Sequence, residues 1–405
     1  MITQYKETNK SLADNAVDIF KEYYSGQNKN ENMIMSPSSL QSAMGLLLDA
    51  ADDNSATLSE LENFYGIGKA DTEVLLSNLM STQYNSNIEN AETITRDEDS
   101  TGNTYIVTNS IWANTGGENR EFCKVYSENV WNKYGAASYG ENLDTMEGTE
   151  KVNSWVKENT LGLIEKLSDE PLGGDVHLIN AVGFDCKWET PFEETATGKE
   201  DFKTPSGKVK VDMMHLYEGV SYIDKDYAKG VRLDYAPIID KESDEIKNRN
   251  RFSYIALKPT GDIQTVIDAL NAGEISYFID NDDANGAEVH LSLPKYKFDC
   301  KTDLVDIAKN MGVKTAFDAD SGIYLWENKP DVQSYISGIS QLAMIDVSES
   351  GTKAAAVTDI EMNESEAVEE PKKVIEIKFD EPFVYIITDN INKTPIFMGV
   401  VNEPK

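Results

Sequence analysis

Hydrophobic residues recur at helical spacing in the first part of the chain and at strand spacing in the later part. Ser36 and Pro37 have the form of an N-cap followed by a first-turn proline, and apolar residues then recur three and four positions apart. Those apolar residues are Leu40, Ala43, Met44, Leu47 and Leu48. The pattern predicts a helix with one buried face. A second helix is predicted from Thr302 to Met311, with Gly312 as its terminator.

Apolar and alternating runs predict strands, mainly in the second half of the chain. Val176–Phe184 is nearly all apolar, as expected for a central strand that is covered on both faces. Further strands are predicted at Ala287–Leu293, Pro382–Ile387 and Pro395–Val401. The polar stretches 84–104 and 238–251 predict surface insertions.

Early helices followed by later strands predict an α+β fold rather than alternating βαβ units. The sequence has no internal repeat, no Pro-rich linker and no low-complexity tract that would divide it. We therefore predict a single domain over residues 1–405.

Side chains alternate in character after Gly351. The even-numbered residues are all small or apolar, and the odd-numbered ones are mostly polar or charged. The even set is Thr352, Ala354, Ala356, Thr358, Ile360 and Met362. This is the pattern of a strand with one buried face, yet it leads into the acidic run Glu364–Pro371, which is typical of a solvated loop. An ordinary edge strand followed by a loop, or a helix through Ala354–Ala356, is also consistent with the pattern.

The charge balance limits the classes of partner. The 405 residues contain 37 Lys and Arg against 71 Asp and Glu, a formal net charge of -34. Such a surface repels nucleic acid, heparin-like polyanions and anionic lipid, so proteins or cations are the expected partners. The chain has neither an apolar run of membrane-spanning length nor the apolar core of a signal peptide, so we expect no membrane insertion.

Candidate catalytic and metal-binding residues are few. His177, His215 and His290 lie outside the motifs of zinc proteases and serine hydrolases, and structural roles are favoured for all three. Gly66–Lys69 lacks the spacing of a phosphate loop, and Asn281–Gly286 fails as a calcium loop at both ends. The cysteines, Cys123, Cys186 and Cys300, are scattered and odd in number, which favours free thiols. We expect no catalytic residues, no metal and no cofactor.

Several motifs together resemble the serpin family over nearly the whole chain. Glu349–Thr358 resembles the hinge of the serpin reactive loop, in which a glycine and a threonine precede a run of alanines. The other matching segments are Asn32–Ser39, Asn153–Val156, Asn180–Phe184 with Trp188, Leu293–Tyr296, Phe379–Phe383 and Ile396–Gly399.

The resemblance implies a three-sheet α+β fold with about eight or nine helices and an exposed reactive-centre loop. Residues 349–376 would form the hinge and this loop. The implied function is suicide-substrate inhibition of serine proteases, with cysteine proteases as possible further targets. In this mechanism the protease cuts the loop and is trapped as a covalent acyl complex when the loop inserts into a sheet as an extra strand. A monomer is expected.

The resemblance also assigns site residues. The hinge comprises Glu349, Gly351, Thr352, Ala354, Ala355, Ala356 and Thr358, and the sheet-opening region comprises Ser36, Ser39, Asn180, Trp188 and Gln341. Gln341 stands where many relatives have a histidine that is hydrogen-bonded to the asparagine matching Asn180. A glutamine can still donate and accept hydrogen bonds, but it does not titrate.

The position of the scissile bond depends on the end from which it is counted. Counting from Gly351 places it at Ser365–Glu366, whereas counting back from Phe379 places it at Ala367–Val368. Either choice puts a small residue before the cut, which suits elastase-like or subtilisin-like proteases.

Asn363-Glu-Ser365 is a glycosylation acceptor inside the predicted reactive-centre loop. A glycan there would block access of a protease, so we expect an extracellular or surface-attached protein from an organism without N-glycosylation, a prokaryote, with any signal or anchor absent from this sequence. A cytoplasmic protein is the alternative. Two rival functions stay open: a non-inhibitory serpin that acts as a chaperone or ligand carrier, and a surface adhesion or scaffold protein.

Overall fold

The computed structural model describes residues 2–79, 104–159, 165–236, 238–239, 246–248, 251–352 and 373–405. Nine α-helices lie within these ranges. They are α1 (Ile2–Gly26), α2 (Pro37–Leu48), α3 (Ala56–Tyr65), α4 (69–79), α5 (Lys124–Tyr134), α6 (Met146–Asn159), α7 (Ile263–Ala269), α8 (Ala272–Asp280) and α9 (Val305–Asn310). Short 3₁₀ turns occur at Glu194–Ala196 and Thr315–Phe317.

The strands of the described residues are numbered in chain order. They are β1 (Met33–Met35), β2 (Thr104–Asn114), β3 (Ala137–Glu141), β4 (Val176–Lys187), β5 (Gly198–Thr204), β6 (Gly207–Leu216), β7 (Val220–Asp224), β8 (Ala228–Asp234), β9 (Ile238–Ile239), β10 (Ile246–Asn248), β11 (Phe252–Pro259), β12 (Glu288–Pro294), β13 (Tyr296–Asp303), β14 (Ile323–Tyr324), β15 (Gln333–Ser334), β16 (Ile336–Val347), β17 (Gly351–Thr352), β18 (Val374–Lys378), β19 (Phe383–Asp389) and β20 (Thr394–Val401).

These strands form three larger sheets and two short ribbons. Sheet A has the order β13-β16-β17-β4-β2-β3, sheet B has the order β1-β20-β19-β11-β8-β7, and sheet C has the order β18-β12-β6-β5. The ribbons pair β9 with β10 and β14 with β15. The predicted α+β fold with three sheets is confirmed.

Sheet B contributes the most deeply buried strands. Every residue of β19 and β20 is buried, because these strands are apolar on both faces. The strands approach each other closely at Gly399, which pairs with Ile34 on one side and Tyr385 on the other. A Cβ atom at Gly399 would collide with the backbone carbonyl of Met33 and the ring of Tyr385. A glycine is therefore required at this position of β20.

The two faces of sheet A belong to different apolar clusters. Val182 and Phe184 of β4 face the main core, which also contains the leucines of α2. Ile179 and Ala181, on the opposite face of β4, pack with Trp155 of α6 in a second cluster. This division follows from the period of two in a strand. It defines an inner face of sheet A, toward α2, and an outer face.

The predicted helix at Thr302–Met311 begins later than its apolar pattern indicates. Thr302 and Asp303 end strand β13, where they pair with Gln341 and Ser340 of β16, and the helix starts at Val305. Pairing along the sheet edge extends the strand into the segment that the 3.6-residue pattern had assigned to the helix. The helix predicted after Ser36 and the strands predicted at β4, β12, β19 and β20 are confirmed.

The described parts of the predicted surface insertions are short. In the stretch 84–104, only the first residue of β2 is described. In the stretch 238–251, the structure describes the ribbon of β9 and β10 together with residue 251. Gly66 is the left-handed C-cap of α3, and α4 begins three residues later. All three cysteines are free, with Cys186 buried. None of the described helices is long and apolar enough to cross a membrane.

The close approach at Gly399 can be tested with an alanine. We expect Gly399→Ala to lower the free energy of unfolding by about 1 to 3 kcal/mol, because the added methyl group must displace a backbone carbonyl or a packed ring. Gly198→Ala is the matched control, since Gly198 also lies in a strand but nothing lies within 4 Å of its would-be Cβ. Thermal melting followed by circular dichroism measures both. Equal stability of the two variants would contradict the assignment.

Candidate functional site

The first residues of the predicted hinge already form a strand of sheet A. Thr352 pairs with Val347 of β16 on one side and with Cys186 of β4 on the other. Gly351 pairs with Lys187, and its carbonyl accepts a hydrogen bond from the Ser348 N–H at 2.9 Å. The end of the sheet therefore holds a two-residue strand, β17, between two longer strands that pair directly with each other further down.

Gly351 is fixed by the backbone of β4. A Cβ atom there would lie 2.7 Å from the Cα of Lys187 and closer still to the carbonyl oxygen of Cys186. The chain therefore cannot enter the sheet at this angle with a larger residue. This requirement gives the glycine of the hinge motif a steric reason.

Thr352 points to the inner face of sheet A, as its even number predicts. The residue is only 1% exposed, and its Oγ1 lies 2.7 Å from the hydroxyl of Tyr235. Tyr235 stacks on Trp188, with ring centroids 4.7 Å apart and an angle of 16° between the rings. The sequence pattern did not predict a role for Tyr235, because this residue lies outside any strand. Its isolated bridge to Trp188 joins two segments that are far apart in the sequence.

Trp188 holds the turn between β16 and β17. Its backbone N–H donates to the carbonyl of Ser350 at 3.1 Å, and its indole N–H donates to the carbonyl of Ser348 at 2.9 Å. Trp188 thus binds the backbone of the turn and supports the Tyr235 ring, which contacts Thr352. The family resemblance assigns Trp188 to the sheet-opening region, and in the structure its contacts lie at the hinge.

Glu349 anchors the same turn. One carboxylate oxygen accepts a hydrogen bond from the Thr197 hydroxyl at 2.8 Å, and the other lies 2.7 Å from the Lys295 ammonium. The backbone carbonyl of Glu349 accepts from the Phe192 N–H at 2.9 Å. Burial alone would raise the pKa of this carboxyl, but Lys295, the backbone N–H of Glu349 and Thr197 outweigh it, and the pKa lies below its ordinary value.

The other predicted sheet-opening residues lie beneath the middle of sheet A. Asn180 lies on β4 and is eight residues before Trp188, which directly follows β4, so about 25 Å of extended chain separate the two residues. Gln341 is the neighbour of Asn180 in the parallel pairing of β16 with β4. Ser36 and Ser39 lie fully buried at the start of α2. The residues of the predicted sheet-opening region therefore lie in two places, with Trp188 at the hinge and the others beneath the middle of the sheet.

Gln341 binds Ser36 through two hydrogen bonds. Its side-chain oxygen accepts from the Ser36 N–H at 2.9 Å, and its side-chain nitrogen donates to the Ser36 carbonyl at 2.7 Å. Asn180 donates instead to the side-chain oxygen of Asn109 at 2.6 Å. The contact from position 341 to Asn180 that the family resemblance implies is thus replaced by a clamp on the first turn of α2. Ser36 does not cap α2 through its side chain, which pairs with the Ser38 hydroxyl at 3.0 Å.

The histidines have structural partners. His177 is buried and lies 3.0 Å from the Gly173 carbonyl, and burial lowers its pKa. His290 lies between Glu288 and Glu376, whose carboxylates raise its pKa. No group of three or more His, Cys, Asp or Glu side chains within the described ranges is arranged to hold a metal ion.

Three polar residues on sheet C have the order of a hydrolase triad. The Ser292 hydroxyl lies 3.0 Å from His215 Nδ1, and His215 Nε2 lies 2.9 Å from the Glu200 carboxylate. Ser292 is paired on both sides, with Lys378 of β18 and His215 of β6, so its backbone belongs to the sheet ladder. Lys378 also forms an ion pair with Glu200. We interpret the set as cross-strand polar packing on a sheet surface.

Several predicted site residues lie outside the described residues. They are Ala354, Ala355, Ala356 and Thr358 of the hinge, and Ser365, Glu366, Ala367 and Val368 of the two candidate scissile bonds.

Comparisons with known proteins agree with one another. The family model described as "Serpin (serine protease inhibitor)" matches residues 10–404. A serpin-like protein of Thermococcus kodakarensis is 27% identical over 96% of this chain and 84% of its own length. Alpha-1-antiproteinase 2 of Equus caballus is 27% identical over 97% of this chain and 86% of its length. The solved native state of the thermophilic serpin tengpin is 26% identical, with a TM-score of 0.79, over 98% of this chain and 94% of that one.

The Glu349 anchor gives the hinge a pH dependence. A carboxyl with a lowered pKa in the folded state stabilises the fold above its unfolded pKa of about 4.3, and this stability is lost as pH falls through the folded value. We expect Glu349→Gln to lower the free energy of unfolding by about 1 to 2 kcal/mol at pH 7. The difference from the wild type should shrink as the pH is lowered below about 4.

Melting curves between about pH 3 and 7 measure this difference. Glu218→Gln, at an exposed site, is the control and should leave the stability unchanged across the range. A Glu349→Gln difference that stays constant down to the lowest pH would show that the carboxylate charge does not hold the turn.

Proposed function

The chain belongs to the serpin family, and from this premise we propose that it is a suicide-substrate inhibitor of serine proteases. Serpins are generally protease inhibitors rather than catalytic enzymes, and the family includes non-inhibitory members. The proposal therefore depends on whether the segment after Gly351 is built to enter sheet A.

The observation that carries the proposal is the match between the alternating segment and strand β4. In the antiparallel register that β17 sets, Thr352 faces Cys186, so each later residue faces one earlier residue of β4. Met362 would then face Val176, the first residue of β4. Met362 is also the last residue of the alternating pattern in the sequence. The segment 352–362 has the length and parity of a full strand beside β4.

The trapping step follows from covalent connectivity. The hydroxyl oxygen of the protease serine attacks the carbonyl carbon before the scissile bond, Ser365–Glu366 or Ala367–Val368. The peptide bond breaks, the new amino terminus takes up a proton, and the preceding residue stays attached to the protease as an ester. Roughly 14 residues from Gly351 to Ser365, at about 3.3 Å each, span about 45 Å when they insert. This displacement carries the acylated protease along the sheet before the ester is hydrolysed.

Small residues around the cut support elastase-like or subtilisin-like targets, with cysteine proteases as further targets. The net charge of -34 is consistent with a protein partner and disfavours nucleic acid and heparin-like polyanions. We propose that the inhibitor acts as a monomer.

The parity of the segment can be tested with arginine at two adjacent alanines. Ala356 would face Val182 and Ala343 on the inner face, whereas Ala355 would lie on the outer face beside Met344, which is partly exposed. Arginine at position 356 would bury an unpaired charge, at a cost of several kcal/mol, so insertion should slow steeply. We expect Ala356→Arg to be cut normally and to form few covalent complexes, and Ala355→Arg to trap protease like the wild type.

SDS gels of each variant with subtilisin-like and elastase-like proteases measure complex and cleaved product, and mass analysis locates the cut. Thr352 is a poorer test position, because it contacts Tyr235 in the uncut protein. Equal trapping by the two arginine variants would mean that the even-numbered face does not insert. Cleaved product without covalent complex from the wild type would favour a non-inhibitory serpin.

We also propose an extracellular or surface location in an organism without N-glycosylation. Asn363-Glu-Ser365 is a glycosylation acceptor inside the proposed reactive-centre loop. We expect mass spectrometry of the native protein to find Asn363 unmodified. A glycan at Asn363 would overturn the proposal, since it would cover the residues that a protease must reach.

A further inference from the structure

A buried polar cluster lies where α2, α4 and α5 meet. Asp49 is the C-cap of α2, Glu73 lies on α4, and Lys133 and Tyr134 are the last two residues of α5. The side chain of Asp49 is 6% exposed, and Tyr134 is 2% exposed. We call these four residues the helix-end cluster.

Lys133 bridges the two carboxylates of the helix-end cluster through one oxygen of each. Its ammonium lies 2.7 Å from Asp49 Oδ1 and 3.0 Å from Glu73 Oε2. Burial disfavours the charged ammonium, but its hydrogen bonds to Asp49 and Glu73 outweigh burial, and the pKa of Lys133 lies above its ordinary value. Two carboxylates and one ammonium leave one negative charge of the cluster uncompensated.

The other polar atoms of the helix-end cluster are buried without partners. Asp49 Oδ2, Glu73 Oε1 and the Tyr134 hydroxyl have no hydrogen-bond partner among the described residues. Burial raises the pKa of the Tyr134 hydroxyl, and the charges of Asp49 and Glu73 raise it further. The hydroxyl is therefore near both carboxylates without bonding to either. Because each buried oxygen without a partner destabilises the fold, a group that binds all three would stabilise it.

The chemistry of the helix-end cluster suits a cation. Carboxylate and hydroxyl oxygens are ligands that hard metal cations prefer. Both α2 and α5 end at the cluster, and the C-terminal end of a helix carries a partial negative charge. Lys133 already supplies one positive charge, so a single further positive charge balances the two carboxylates. A divalent ion beside the ammonium would leave an excess of positive charge.

We propose that Asp49 Oδ2, Glu73 Oε1 and the Tyr134 hydroxyl oxygen bind an alkali-metal cation, sodium or potassium. The cation would hold α4 and α5 against the end of α2. None of the residues of this site belongs to a strand of sheet A, so the site does not depend on insertion of the reactive-centre loop.

Melting curves in different chloride salts at one ionic strength test the site. A cation that binds only the folded protein raises the melting temperature by mass action. We expect sodium or potassium chloride, at about ten times the Kd of the cation, to raise the melting temperature of the wild type by about 2 °C above its value in choline chloride. Choline is the control, because it has the same charge but its methyl groups keep the nitrogen away from oxygen ligands.

Tyr134→Phe and Tyr126→Phe form a matched pair on α5. Each removes one buried hydroxyl, but the Tyr126 hydroxyl donates to the Leu46 carbonyl at 3.0 Å and does not belong to the site. We expect Tyr134→Phe to lose most of the rise and Tyr126→Phe to keep it. Glu73→Gln should also lose the rise, because it removes a charged ligand. Each variant is compared with itself in choline chloride, so a general loss of stability cancels.

Three outcomes would overturn the proposal. Equal melting temperatures of the wild type in sodium, potassium and choline chloride would assign the three oxygens to bound water. A rise in Tyr134→Phe and Glu73→Gln as large as in the wild type would show that the cation binds elsewhere. A larger rise in calcium chloride at the same ionic strength would contradict the charge balance on which the choice of an alkali metal rests.

Discussion

The backbone pairing between β4 and β16 is the interaction on which the rest of the structure depends. The two strands pair directly over Ile336–Ala343 of β16, and at the hinge they are separated by Gly351 and Thr352. The same strands therefore have two ways to satisfy their backbone hydrogen bonds, with each other or with a strand between them. Both arrangements match the same residues of β4 with the same residues of β16. The hinge end would therefore be a template for a strand inserted where β4 and β16 now pair directly. Insertion would add ladder bonds on both sides of the new strand and bury Ile360 and Met362 at about 1.5 to 3 kcal/mol each.

The hinge end is held open by side chains that act on the turn rather than on the strand. Trp188 binds two carbonyls of the turn, Glu349 ties it to Lys295 and Thr197, and Tyr235 supports Thr352 from below. None of these contacts has to break for the next residues to enter, because all of them lie at or before Thr352. In the proposed insertion, the anchor would set the register and direction of entry, while the gain in free energy would come from residues further along. Mid-sheet, the clamp of Gln341 on Ser36 holds β16 against α2, on the face that an incoming strand would share.

Local pattern predicted the elements of this site, and distant contacts decided its chemistry. The parity of Gly351–Met362 correctly placed Thr352 on the inner face, and Ser36-Pro37 correctly opened α2, because both signals depend only on neighbouring residues. Tyr235, Lys295 and Thr197 come from three separate segments, and no spacing in the sequence connects them to Glu349 or Thr352. The late start of α9 has a similar cause, since pairing of Thr302 and Asp303 with β16 overrides their helical pattern. Trp188 and Asn180 were grouped by motif, but eight residues of extended chain separate them along sheet A.

The hydrogen bonds of Gln341 show what a glutamine in place of a histidine does at this position. An imidazole at this position would gain a proton near neutral pH and lose its ability to accept a hydrogen bond from the Ser36 N–H. The amide of Gln341 keeps both its donor and its acceptor at any pH at which the protein is folded, so the clamp on α2 does not change with protonation. The anchoring carboxyl that titrates at the hinge is Glu349, whose lowered pKa keeps it ionised throughout the neutral range. The contacts of Gln341 with Ser36 and of Glu349 with Lys295 and Thr197 are therefore constant near neutral pH.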